Sequence, residues 1–238
     1  MTRILKALGL TIAAAAALVA VMAPAAQAEP GTLTAAGFPA IVTGEQGPGA
    51  TFDIGEGVGA VGCAVSRLDT TLTGPANPVT FRPTYANCIA EPGGLPATVT
   101  THECHYRVGF ALPGTTGQPE TTGIMQAGIV CPAGQQIEIH VYANAMAHAE
   151  NVSMCTYDLA PQAPVQAGIY HNVAGMPDDV RATVQARFTG KSTIAPGMMC
   201  GGNMFNGHLP ITLTGDYTLR AFEDMNGFEG AQIGLDVG

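Results

Sequence analysis

The sequence predicts an antiparallel all-β protein, a sandwich or barrel of about ten short strands stapled by disulfides. Apolar and polar side chains alternate with a period of two along the chain, and turn-forming Gly, Pro, Asn and Asp separate the alternating runs. Helical periodicity is nearly absent after residue 28. All six cysteines lie beyond that residue, and an even number in an exported chain favours disulfides.

The clearest strand covers residues 180–189, where Val, Ala, Val, Ala and Phe alternate with Arg, Thr, Gln, Arg and Thr. Such alternation is typical of a strand that buries one face. Residues 137–142 and 211–220 show the same pattern, and Ile233–Val237 predicts a closing strand. Weaker runs predict strands near Thr32–Thr43, Val58–Thr73, Val79–Cys88, Ala97–Ala111, Gly123–Cys131, Met154–Leu159 and Ala167–Val173.

Residues 1–28 are predicted to be a secretory signal peptide. Arg3 and Lys6 form a basic start, an apolar run extends from Leu8 to Met22, and Ala26-Gln27-Ala28 fits the small-x-small pattern of a cleavage site. The apolar run is shorter than the ~20 residues that a membrane span needs. Cleavage before Glu29 is therefore favoured over an uncleaved anchor, and we expect a secreted or extracellular protein, with association to the cell surface left open.

We expect a single secreted β domain over residues 29–238. The stretch Pro113–Gly123 is rich in Gly, Thr and Pro, and it is either a linker between two subdomains or a long hairpin loop. Three cysteines precede it and three follow it. If all six are paired, at least one disulfide must cross this stretch, which weakens the two-domain interpretation.

The charge of the chain limits its partners. Removal of the signal peptide takes away two of the nine Lys and Arg residues and none of the 18 Asp and Glu residues, so the formal net charge changes from −9 to −11. Lys191 would then be the single lysine, beside six scattered arginines. Nucleic acids and anionic lipids both attract clusters of basic residues. We therefore expect an extracellular or cell-wall partner, no nucleic acid, and no stable membrane insertion after cleavage.

The disulfide pairing can be predicted from hairpin geometry, although six cysteines allow fifteen pairings. Residues that face each other in a hairpin lie at equal distances from the centre of its turn. One cysteine pair is centred on the turn sequence Gly74-Pro75-Ala76-Asn77, and another is centred in the stretch 113–123. The predicted disulfides, the last by elimination, are Cys63–Cys88, Cys104–Cys131 and Cys155–Cys200.

Metal binding is an alternative that two groups of residues raise. His102-Glu103-Cys104-His105 is the densest cluster of ligand-type side chains, but alternation along a strand sends neighbours to opposite faces. A zinc site would need a ligand from a second strand, and His140 or His171 could supply it. The second group would suit Cu(I) and comprises Met146, His148, Met154, Met198, Met199 and Met204. Solvent-facing histidines and core or loop methionines explain the same residues, so we expect no cofactor.

Catalytic motifs are weak in this sequence. Gly57–Gly62 matches the spacing G-x-G-x-x-G, but a strand and not a helix is predicted after it, so a glycine-rich turn is the better interpretation. None of Ser66, Ser153 and Ser192 lies in G-x-S-x-G. Many carboxylates are available for glycoside hydrolysis, yet no pair stands out. The sequence favours a non-catalytic, structural or partner-binding protein, then a binder of zinc, copper or a small ligand, and then a hydrolase with paired carboxylates.

The chain resembles a group of exported, six-cysteine β proteins of unknown function from high-GC Gram-positive (actinobacterial) species. The residues that carry the resemblance are Ala36–Gly44, Cys63 followed by Leu72-Thr73-Gly74 and Pro83-Thr84-Tyr85, Cys88, Cys104 with Tyr106, Cys131-Pro132, Cys155 ahead of Pro161-Gln162, Tyr170–Gly175, Cys200-Gly201-Gly202 and Gly230–Gly234. They extend over nearly the whole chain after the signal peptide. The resemblance implies an exported β fold and implies no particular chemistry.

Overall fold

The computed structural model describes residues 30–47, 49–55, 59–112, 122–175, 177–196 and 207–238. These residues form sixteen strands and one short helix, α1, at Ala145–Ala149. The strands are β1 Pro30–Gly31, β2 Leu33–Ala35, β3 Ala40–Gln46, β4 Ala50–Ile54, β5 Ala60–Leu72, β6 Val79–Glu91, β7 Leu95–Thr100, β8 His105–Ala111, β9 Gly123–Val130, β10 Ile137–Val141, β11 Cys155–Leu159, β12 Gln162–Val173, β13 Asp179–Ile194, β14 Gly207–Asp224, β15 Glu229–Ile233 and β16 Leu235–Val237. All their described pairings are antiparallel, which confirms the predicted fold class.

The predicted number of strands is too low, because three apolar runs that look continuous are interrupted. The run Thr32–Thr43 breaks between β2 and β3, and the run Ala97–Ala111 breaks at the turn 101–104. The closing run is divided at Gly234 into β15 and β16, which pair with different strands. Strand β4 was not predicted at all. Its five residues bury Ala50, Phe52 and Ile54 between β5 and β14.

Two closed rings of eight strands share the four longest strands, β5, β6, β13 and β14. The first ring runs β6-β8-β9-β12-β13-β14-β3-β5 and returns to β6. The second ring runs β6-β7-β10-β11-β13-β14-β4-β5 and returns to β6. At about 3.3 Å per residue, the 18-residue strand β14 is about 60 Å long and extends through both rings.

Each shared strand changes its neighbour part of the way along. Strand β14 pairs with β4 through Ile211–Thr214 and with β3 through Tyr217–Glu223. Strand β6 pairs with β8 through Val79–Phe81 and with β7 through Cys88–Ala90. Closure satisfies backbone hydrogen bonds on both sides of these strands and removes the exposed edges that an open sheet would present. Strands β8 and β9, which precede and follow residues 113–121, pair with each other in the first ring.

The alternation in the sequence corresponds to the inside and the outside of the rings. In β13, Val180, Ala182, Ala186 and Phe188 are buried while Arg181 and the other odd-numbered residues up to Thr189 face outward. In β10, Ile137, Ile139 and Val141 are buried and the two residues between them are half-buried. Each buried Val, Leu, Ile or Phe side chain contributes roughly 1.5–3 kcal/mol relative to an exposed one. The β2–β16 ribbon adds Leu33, Ala35, Leu235 and Val237 to this core.

A polar cluster lies inside the apolar core near the middle of the shared strands. The hydroxyls of Ser66 and Tyr217 are 2.7 Å apart, and those of Tyr85 and Tyr106 are 3.0 Å apart. Buried hydroxyls that pair in this way avoid the cost of an unsatisfied polar group. Burial raises the pKa of Tyr217 to about 12 and raises the pKa of Tyr85 and of Tyr106 well above the ordinary value, so these phenols are neutral at physiological pH.

Two of the disulfides are the pairs that the hairpin centres predict. Cys63 and Cys88 face each other directly across β5 and β6, with their Cα atoms 3.9 Å apart. Cys104 and Cys131 close the β8–β9 hairpin one position beyond the pair His105–Val130, with their Cα atoms 4.2 Å apart. Cys155 is also disulfide-bonded, and its predicted partner Cys200 lies outside the described residues. The predicted signal peptide at residues 1–28 and the Gly57-Val58 start of the glycine motif lie outside the described residues as well.

We expect Gly168→Ala to destabilise the fold strongly. Gly168 has φ 135° at an irregular position of β12, and a Cβ there would lie 2.0 Å from the backbone oxygen of Thr183. The strand would have to move away from β13, which should lower the free energy of unfolding by about 3 kcal/mol. Urea denaturation measures this change. Gly74→Ala is the control, since a Cβ there meets nothing within 4 Å, and equal destabilisation by both variants would contradict the prediction.

Candidate functional site

A tight turn places His102 between the outer walls of the two rings. The turn joins β7 to β8, and the Cys104 amide donates a hydrogen bond to the carbonyl of Thr101 at 2.8 Å. His102 has φ 49°, a left-handed conformation that is uncommon for a residue other than glycine. Its ring lies against Glu138 of the second ring, and the same side chain lines a cleft on the first ring.

Glu138 is the centre of a cluster of polar side chains on the outer face of β10. His140 Nε2 and His102 Nε2 lie 3.2 Å and 3.4 Å from its Oε2, and Gln136 donates to its Oε1 at 3.3 Å. Partial burial raises the pKa of Glu138, but the contacts with His140, His102 and Gln136 together outweigh it and hold that pKa below its usual value. The charged carboxylate is therefore the stable form over a wider pH range.

Asp158 of β11 stands directly across from Glu138, and its pKa is shifted in the opposite direction. Partial burial and the negative charge of Glu138 raise the pKa of Asp158 above its ordinary value. Lys191 of β13 faces Asp158 on the other side and opposes this shift. Two facing carboxylates whose pKa values are shifted apart are a pattern found at sites of acid–base catalysis.

The second nitrogen of His140 extends the cluster to two hydroxyls. His140 Nδ1 lies 3.2 Å from Thr156 Oγ1, and Ser153 Oγ lies 3.2 Å from the same oxygen. A hydroxyl, an imidazole and a carboxylate in hydrogen-bond sequence are the components of nucleophilic catalysis. Glu138, His140 and Thr156 are half-buried and alternate with the buried residues of β10 and β11, so the cluster lies on the outward face of these strands.

The histidines and methionine that the sequence proposed as metal ligands are divided among three places. His102 and His140 meet at Glu138, whereas His105 lies on the neighbouring wall. His148 and Met146 belong to α1, where His148 packs on Tyr142 with ring centroids 4.7 Å apart and Met146 is 71% exposed. In the described ranges, no group of three or more His, Cys, Asp or Glu residues is arranged to hold a metal ion. Met198, Met199 and Met204 lie outside those ranges.

Cys104 is not available as a thiolate ligand because it is bonded to Cys131. The disulfide instead closes the base of the β8–β9 hairpin beside the turn that carries His102. The His102–His105 segment is therefore held by a covalent cross-link on one side and by the Glu138 contact on the other.

Two arginines that the sequence analysis did not single out lie on the outer wall next to this segment. Arg107 of β8 is directly opposite Thr80 of β6, and Arg82 stands two residues further along β6 on the same face. In the part of the chain that the structure describes, neither guanidinium forms an ion pair. Asp69, across from Arg82 on β5, is held by Arg67 at 2.6 Å. We call Arg82, Arg107, Thr80 and His105 the arginine strip.

The arginine strip is flanked by two clefts. The first cleft has a volume of about 600 Å³, and Arg107, Gln126, Gln166 and Asn77 contribute its polar lining. The second cleft has a volume of about 450 Å³ and is lined by Arg82, His102, Glu103 and His105 among others.

Alternation alone could have placed Arg107 and His105 on one face of β8. The pairing of β6 with β8, which brings Arg82 beside them, has no local signal in the sequence.

No protein-family model matches this chain, and no match was found among curated proteins or among solved structures. No helix in the described ranges is long and apolar enough to cross a membrane. The candidate sites are thus defined by their geometry and charge alone.

We expect His140→Gln to raise the pKa of Glu138, because the contact with His140 is the largest of those that lower it. The pKa of Glu138 is lower in the folded chain than in the unfolded chain, where it is about 4.3. The charged carboxylate therefore stabilises the fold above that pH, and this contribution is lost as the pH falls through the pKa of the folded state. Carboxyl NMR titration measures the midpoint. His148→Gln is the control, since His148 contacts Tyr142 instead. An unchanged Glu138 midpoint in His140→Gln would contradict the assignment.

Proposed function

We propose that this chain is an exported, extracellular or cell-surface β protein that acts by binding a partner and not by catalysis. The observation that supports binding is the arginine strip, where two guanidiniums without a described ion-pair partner stand between clefts of about 600 and 450 Å³. Charged groups that face solvent beside a cleft are available to a ligand without first breaking an internal contact.

The rigidity of the wall that carries the strip supports the same function. Strands β6, β8 and β9 belong to a closed ring, and the β8–β9 hairpin is cross-linked by Cys104–Cys131. A surface that is already ordered loses little conformational entropy when a partner binds. Disulfides also suit an oxidising extracellular location, which agrees with the predicted signal peptide at residues 1–28 and with the resemblance to exported actinobacterial proteins.

Two of the three serines have partners that favour structural roles. Ser66 is buried and pairs with Tyr217, and Ser192 is hydrogen-bonded to the backbone of Gly207. Ser153 instead belongs, through Thr156, to the cluster of His140 and Glu138. The catalytic candidates that remain therefore lie in the Glu138 cluster and its neighbour Asp158.

Export can be tested directly in the native host. We expect Edman sequencing of the protein from culture fluid or cell wall to begin at Glu29, and a non-reduced peptide map to contain Cys155 linked to Cys200 beside the two described disulfides. Elemental analysis of the same sample should show less than stoichiometric zinc and copper. A protein retained in the cytoplasm with residue 1 intact and free thiols would overturn the proposal, and a stoichiometric metal would favour the metal-binding alternative.

Hydrolysis is a second candidate that one observation favours. Glu138 and Asp158 face each other on β10 and β11, and their pKa values are shifted in opposite directions. In such a pair Glu138 would act as the base or nucleophile, and Asp158 would act as the acid. The argument against it is that neither carboxylate lines the clefts of about 600 and 450 Å³ beside the arginine strip, whereas catalysis usually requires a cleft that surrounds the substrate.

A panel of glycosides and esters separates the two candidates. If the protein only binds, wild type and Glu138→Gln should give the same background rate. If the wild-type protein hydrolyses a substrate and Glu138→Gln does so at least about 100-fold more slowly, hydrolysis would replace binding as the proposed function. Glu150→Gln is the matched control, since Glu150 follows α1 and is exposed away from the cluster.

A further inference from the structure

The two arginines of the strip combine an unpaired guanidinium with a position beside a cleft. Arg67 is paired with Asp69 and Glu229, and Arg220 lies 3.4 Å from Glu45 and 3.5 Å from Asp179. Four other arginines have no ion-pair partner among the described residues, namely Arg82, Arg107, Arg181 and Arg187. Because Arg82 and Arg107 line the clefts of about 450 and 600 Å³, their guanidiniums stand where a ligand can approach, on a chain of formal net charge −9.

The strand positions of the two arginines suit a ligand with more than one acidic group. Arg107 of β8 stands directly opposite Thr80 of β6, and Arg82 lies two residues beyond Thr80 on the same face of β6. Arg107 and Arg82 are therefore diagonal neighbours, and such positions on adjacent strands are about 7–8 Å apart. Each arginine lines a different cleft. A planar guanidinium can bind one carboxylate through two parallel hydrogen bonds, so the strip presents two separate carboxylate sites.

Neutral hydrogen-bonding groups lie beside these two cations, together with the carboxylates of Glu103 in the second cleft and of Asp69, which Arg67 holds. Gln126 and Gln166 are exposed in the first cleft, and Thr80 lies in the second cleft beside Arg82. Amides and hydroxyls of this kind pair with the hydroxyl groups of a sugar, and the guanidiniums pair with its acidic substituents. The combination therefore matches a polymer in which carboxylates are separated by neutral, hydroxyl-rich units.

A nucleic acid fits the strip less well. Single strands are usually held by stacking of bases on exposed aromatic rings, and the one aromatic residue that lines either cleft, Phe110, is 3% exposed. Duplex binding depends on many phosphate contacts, whereas two arginines supply few.

From these contacts we propose that the arginine strip binds an acidic polysaccharide, with Arg82 and Arg107 each holding one carboxylate. This inference rests on the proposed binding function and names its ligand class.

The test measures binding of polygalacturonate to the full-length, signal-cleaved protein by biolayer interferometry, with neutral dextran as the uncharged polymer. We expect Arg82→Gln/Arg107→Gln to bind polygalacturonate at least about tenfold more weakly than wild type. Arg181→Gln/Arg187→Gln is the matched control. It removes the same charge from exposed positions of β13, which stands opposite β6 in the first ring, and should bind within about twofold of wild type.

Several results would overturn the inference. Equal weakening in both double variants would mean that overall charge, and not the strip, governs binding. Tighter binding to inorganic polyphosphate or to duplex DNA than to polygalacturonate would replace the carboxylated glycan by a phosphate ligand. No binding of wild type to polygalacturonate would reject the ligand class. The proposed function would still stand in that case if the protein is exported and lacks turnover, so the two failures can be distinguished.

Discussion

The rest of the structure depends on the change of neighbour that occurs along each of the four long strands. Because β6 pairs with β8 at one end and with β7 at the other, the chain must turn between β7 and β8 at residues 101–104. That turn lies at the boundary of the two rings, and it sets His102 against Glu138 of one wall and into the cleft of the other. Backbone hydrogen bonding thus determines where the polar groups of the surface meet.

Covalent cross-links act at the same boundary. The Cys104–Cys131 disulfide follows the turn directly, and Cys63–Cys88 joins two shared strands at the level where β6 begins to pair with β7. With sequence separations of 25 and 27 between the linked cysteines, each disulfide removes roughly 3–4 kcal/mol of loop entropy from the unfolded chain. The outer wall is therefore constrained by covalent cross-links as well as by the backbone hydrogen bonds of the rings.

Much of the local arrangement could be predicted from the sequence. Alternation assigned the inward and outward faces of β10 and β13, which already places Glu138 and His140 on one side. Turn position predicted the two described disulfides. The weak runs were less informative. Strands β2 and β3 read as continuous because the residues between them, Ala36–Pro39, are apolar or small, and the turn 101–104 between β7 and β8 contains no Gly, Pro, Asn or Asp to mark it. Strand β4 alternates between apolar and polar residues, but it was missed because a run of only five residues between glycine-rich turns is short.

The sequence by itself determined which side chains face inward and which cysteines face each other in hairpins. These features depend on the pleat of a strand and on turns a few residues long. Only the tertiary structure decided that β6 joins β8, that β11 joins β13, and that both rings close through β13 and β14. Those pairings bring together residues far apart in the chain, and their free energy depends on packing and loop closure throughout the molecule. For that reason the placement of Arg82 beside Arg107, and of His102 beside His140, could be seen only in the folded chain.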